Sequence, residues 1–115
     1  MPKKFDEVWH DIIELARSDD EISTLVQKKL NYILRVDNEK IIVQSKATEN
    51  QRELLKENFQ YAWNKLIQFG KIVLNDIEPE LRGRKSIIFT FLEKLPYIEY
   101  KTKPLTLQLT IDKST

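Results

Sequence analysis

The residues best suited by type and spacing to do chemistry are Gly83-Arg84-Lys85-Ser86. The first backbone N–H groups of a helix have no partner inside it. With two cationic side chains and a hydroxyl beside them they make a natural seat for a phosphate. The plainer account of the same tetrad is a turn glycine, two solvated charges and a serine cap. Lys101-Thr102-Lys103-Pro104 offers two more cations at the tip of an expected hairpin, and Lys28-Lys29 a further pair. Paired lysines in a turn are most often solvated charge, but Lys101 and Lys103 share the basic part of the chain with Arg84 and Lys85.

Catalysis has little to work with. The chain has no cysteine, one histidine and two glycines, which excludes thiolate metal sites, thiol nucleophiles and glycine-rich phosphate loops. His10 adjoins Asp6, Asp11 and Glu14 at helical spacing, but a lone histidine among surface carboxylates is a poor metal site. No serine, histidine and acid set can be assembled around it. The chain is therefore read as a non-enzyme with no cofactor and no metal.

The 115 residues carry a net charge of +1 that conceals an uneven distribution. Six basic and two acidic residues lie between Arg82 and Lys103, against twelve basic and fifteen acidic residues before Arg82. A basic C-terminal part is an electrostatic footprint for nucleic acid. No apolar run is long enough to span a membrane, and Met1-Pro2-Lys3-Lys4-Phe5 begins no signal-peptide core, so a cytoplasmic protein without a membrane partner is expected.

Apolar periodicity supplies the elements that would position these residues. Phe5, Val8, Trp9, Ile12, Leu15 and Ala16 follow one helical face over about residues 4–17. Asp19, Asp20 and Glu21 read as a solvated loop. Leu30, Tyr32, Leu34 and Val36 alternate with Asn31, Ile33 and Arg35, and Ile41 and Val43 alternate likewise, predicting a hairpin over residues 29–36 and 40–45. The first of these sets is expected to face the core. Thr48 and Gln51 stand in capping-box register ahead of a long helix over about residues 50–69. Its stripe is Leu55, Phe59, Ala62, Leu66 and Phe69, and Gly70 suits the C-terminal cap. A short strand at 71–74, a brief helix ending near Leu81, a helix from Arg84 to Leu95 stopped by Pro96, and a hairpin over 97–101 and 105–111 complete the chain. Leu105, Leu107, Leu109 and Ile111 should share one face. The helix after the tetrad is apolar nearly all round, so it is expected to be buried rather than to read bases. Trp9, Phe59, Trp63 and Phe69 are expected to pack, with Tyr61 off the main stripe.

This order predicts a single α+β domain over residues 1–115. A helix and β-hairpin (1–48) precede a winged-helix-like half (49–115) of helix, short strand, two helices and C-terminal hairpin. Trp9, Ser23-Thr24-Leu25, the hairpin, Gly70, Gly83-Arg84-Lys85-Ser86, Leu95-Pro96 and Pro104-Leu105-Thr106-Leu107 together resemble a small winged-helix-like accessory domain of DNA-processing proteins, restriction and defence proteins among them. The resemblance implies an association with DNA metabolism and no catalytic residue. The expected function is a non-catalytic nucleic-acid-binding module that contacts the phosphate backbone, with double-stranded DNA the expected partner. Arg84, Lys85, Ser86, Lys101 and Lys103 would make those contacts. The alternative is a protein-interaction or oligomerisation domain with a protein partner or a second copy of itself.

Overall fold

A computed structural model describes residues 4–24, 28–73, 85–101 and 106–109; of Lys85 it describes the backbone alone. The expected brief helix near residues 75–81, the turn at Arg82-Gly83, the hairpin tip at 102–104, Leu105 and Ile111 lie outside the described residues.

Helix α1, Phe5–Ser18, buries Val8, Trp9, Ile12, Ile13 and Ala16 and places Asp6 and Glu7 in its first turn, where the helix dipole favours them. A four-stranded antiparallel sheet follows in the order β1 (Glu21–Ser23), β2 (Leu30–Val36), β3 (Lys40–Ser45), β4 (Gln51–Leu55). Helix α2, Lys56–Phe69, then leads into β5 (Lys71–Val73), α3 (Lys85–Glu93), β6 (Ile98–Lys101) and β7 (Thr106–Leu109). The last three strands form a second antiparallel sheet in the order β5-β7-β6. The fold is α+β, with the helix-then-strands layout expected of it.

Two elements differ from the sequence expectation. Residues 51–55 extend the first sheet instead of opening the long helix, with Ile41 opposite Leu54 and Val43 opposite Arg52. Gln-Arg-Glu-Leu-Leu is a good helix former, but β3 has an open edge, and pairing across it outweighs local propensity. Leu54 is therefore the buried residue and Leu55 is only half-buried. Thr48 and Gln51 do not cap a helix. The chain turns tightly there, with Ser45 N–H donating to Asn50 C=O at 2.9 Å and Glu49 in the left-handed region at φ 62°. The second difference is β1, where Glu21 begins a strand and not a loop. It completes the other edge, and Ile33 N–H donates to Asp20 C=O at 2.8 Å.

The expected face of β2 is also reversed over its first half. Ile33 packs against the core, Leu34 is 46% exposed, and Leu30 and Tyr32 are half-buried on the outer side. A bulge between Ile33 and Arg35 adds one residue, which returns Val36 to the core side opposite Ile41. Strict alternation across the whole strand is thus broken at Leu34.

The core lies between the helices and the inner face of the first sheet. Phe59 is fully buried between Trp9 and Phe91, with ring centroids 5.4 Å and 5.9 Å away. Ala62, Trp63 and Leu66 continue the α2 stripe inward, whereas Phe69 is 60% exposed at the helix end. Gly70 takes φ 79° and donates its N–H to Leu66 C=O at 2.7 Å, the left-handed cap that glycine favours. Trp9 Nε1 donates to Asn38 C=O at 2.9 Å, tying α1 to the β2–β3 turn. In α3, Ile87, Ile88, Phe89, Phe91 and Leu92 are all buried, as its composition requires. Leu107 is buried and Leu109 half-buried on the expected face of β7.

Candidate nucleic-acid interface

Antiparallel partners point to the same side of a sheet, so the inner face of the first sheet can be followed row by row. Val36, Ile41 and Leu54 form an apolar row in the middle of the core. The next row holds Ile33, Val43 and Arg52. After it come Ile22, Asn31 and Ser45, with Asn50 joined to Ser45 by the backbone bond already described. Thr24 and Lys29 close the series, with Lys29 N–H donating to Thr24 Oγ1 at 2.9 Å. One sheet face therefore passes from hydrophobic core to polar and cationic side chains within a few residues.

The polar rows open into a cleft of about 250 Å³. Thr24, Lys29, Asn31, Ser45, Asn50 and Arg52 come from the sheet, Thr48 from the β3–β4 turn, and Val43 supplies apolar floor. Across from them lies the first turn of α3, through Ser86 and Ile87. A wider hollow of about 510 Å³ shares Lys29, Ser45 and Thr48 with the cleft and adds Lys28 and Lys46. Lys28 has φ 57°, and it and Glu49 are the non-glycine residues with positive φ among those described. Both stand in loops at this end of the sheet. Backbone in that region is uncommon for residues other than glycine, and here each lies in a tight loop, with Lys28 N–H donating to Thr24 C=O and Glu49 N–H to Ser45 C=O.

Of the residues singled out in the sequence, Ser86 lines this cleft and Lys85 begins α3 beside it. Arg84 and Lys103 lie outside the described residues. Lys101 is exposed on β6 opposite Thr106, in the second sheet, and does not line the cleft. Lys29 enters through the sheet. Arg52, Asn31, Asn50 and Lys46 were not legible as site residues. The sequence pattern puts Asn50 and Arg52 in a helix and Asn31 on the outer face of its strand. The one sequence signal for them is that an asparagine interrupts the inward set of an otherwise apolar strand.

Other polar features serve the fold. Asp37 accepts the N–H groups of Glu39 and Lys40 at 2.8 and 3.0 Å, and these bonds, the one from Glu39 foremost, hold its carboxyl below the ordinary range. His10 and Glu14 form an exposed pair at 3.8 Å. No group of three metal-ligating side chains occurs among the described residues, and none of their helices is long and apolar enough to cross a membrane. No family model, curated protein or solved structure matches the chain.

Proposed function

We propose that this chain is a non-catalytic nucleic-acid-binding module that works mainly through the phosphate backbone. The observation that carries the proposal is the inner face of the first sheet, where Lys29 and Arg52 share one cleft with Ser86 at the start of α3. Lys29, Asn50 and Arg52 are exposed at this open end of the sheet, which leaves their polar groups accessible to a ligand. Lys28 and Lys46 extend the cationic surface beyond the cleft. Arg84 and Lys85 belong to the same proposal by their position in sequence beside Ser86, while Lys101 and Lys103 would form a separate contact on the closing hairpin. The order β5-β7-β6, with α2 before β5 and α3 before the last two strands, supports a winged-helix-like reading of the second half. The partner expected from the sequence is double-stranded DNA in a cytoplasmic, DNA-processing or defence setting, and phosphate contacts of this kind serve either strand form.

The test is a duplex titration across a series of salt concentrations. Each phosphate contact removed flattens the logarithmic salt dependence by about 0.9. Lys29→Glu with Arg52→Glu should lower the slope by about 1.8 if both residues meet phosphates, and Arg84→Glu with Lys85→Glu should act similarly. Absence of binding to any nucleic acid at low salt would defeat the proposal.

A protein-interaction or oligomerisation role has its own observation. The outer face of the first sheet carries Leu30, Tyr32 and Ile42, all half-buried, and the exposed Leu34. A concentration-dependent mass in sedimentation, abolished by Leu34→Lys, would favour that role.

A further inference from the structure

We infer that the cleft holds one unpaired nucleotide of a strand whose neighbouring phosphates run along Lys28 and Lys46. The inference deepens the nucleic-acid reading above and rests on it. Size comes first. At about 250 Å³ the cleft lies below the usual range of small-molecule pockets, about 300–1,000 Å³. A duplex can meet only its rim, and nothing larger than one base or one phosphate can sit inside.

The chemistry divides in the way a nucleotide does. Lys29, Arg52 and the Ser86 hydroxyl suit a phosphate, to which cations and hydroxyls donate. Asn31 and Asn50 each bring a carboxamide, the group that both donates to and accepts from a base edge. Val43 and Ile87 close the floor of the cleft but are themselves buried, so the base would be held by its edge rather than stacked. A free mononucleotide would use the same groups, but the adjoining hollow selects a strand. It shares Lys29, Ser45 and Thr48 with the cleft and leads to Lys28 and Lys46, which gives the flanking phosphates a cationic path. Unpaired bases can be splayed out and read in this way, whereas paired ones cannot.

The experiment measures anisotropy with a labelled single-stranded oligonucleotide, the duplex of the same sequence, and free thymidine monophosphate as competitor. The wild type should prefer the single strand by about tenfold, the discrimination expected from one well-made base contact. Asn31→Val and, separately, Asn50→Ala should remove that preference, lowering single-strand affinity by more than duplex affinity. Lys28→Glu with Lys46→Glu should weaken the single strand more than the monophosphate. Duplex binding equal to or tighter than single-strand binding would overturn the inference and leave the nucleic-acid reading standing, as would unaltered preference in both asparagine variants. The monophosphate binding as tightly as the strand would overturn the strand assignment in favour of a free nucleotide. No binding of any of the three would defeat both readings together.

Discussion

Asn31→Val separates the fold from the site. Asn31 is half-buried on β2 opposite Ile22 and Ser45, and its side-chain Nδ2 donates to Lys29 C=O over 3.3 Å at an exposed position. Losing so long and solvated a bond should cost about 0.5 kcal/mol, the low end for a hydrogen bond. Valine at a half-buried strand site should return about 1 kcal/mol through burial, half of what full burial gives. Its strand propensity adds a few tenths in the same direction. The variant should therefore be more stable than the parent by about 0.5–1 kcal/mol, read as a raised urea midpoint with an unchanged slope. Single-strand binding should fall in the same protein. A loss of about 1 kcal/mol or more in stability would refute the reasoning, because it would make Asn31 a structural residue and the polar row a requirement of folding.

Three further outcomes test the framework around the cleft. Phe59→Ala should cost about 3–5 kcal/mol, since the ring is fully buried against Trp9 and Phe91; a denaturant midpoint measures it. Gly70→Ala should cost about 1–2 kcal/mol from backbone strain alone, because φ is +79° and an added Cβ would meet nothing within 4 Å. Tyr97 donates its hydroxyl to Asp11 Oδ2 at 2.7 Å, and burial first, then that bond, pushes its ionisation well above the ordinary 10.0. The folded state therefore keeps a proton that the unfolded chain releases, so this contribution to stability should be constant below about pH 10 and be lost progressively above it. Tyr97→Phe should remove that alkaline decline in a pH series of thermal melts.

The helices with one clear apolar stripe were legible because burial on one side leaves a period in the sequence. Residues 5–18 and the core of α2 are of this kind, as are the closing hairpin and the cap at Gly70. The first sheet was legible only in its middle. Its outer strands owe their existence to pairing with β2 and β3, which leaves no local signature in Glu21-Ile22-Ser23 or Gln51-Arg52-Glu53. The face of β2 was misread for a related reason. Its alternation supports two registers, and a single extra residue at Leu34 decides between them. The site suffered most. Lys29, Asn31, Arg52 and Ser86 are far apart in sequence, and no charge count over a segment could join the sheet end to the start of α3. Ser86, which lines the cleft, stands out in the sequence because helix-start chemistry is local. Arg52 was missed because its place depends on the sheet.

Mapping amide chemical shifts during titration with a single-stranded oligonucleotide at low salt tests the central claim most directly. Shifts concentrated on Thr24, Lys29, Asn31, Ser45, Asn50, Arg52 and Ser86 are the expected result, with smaller changes at Lys28 and Lys46. Shifts confined to the second sheet around Lys101, or no shifts at all, would contradict it.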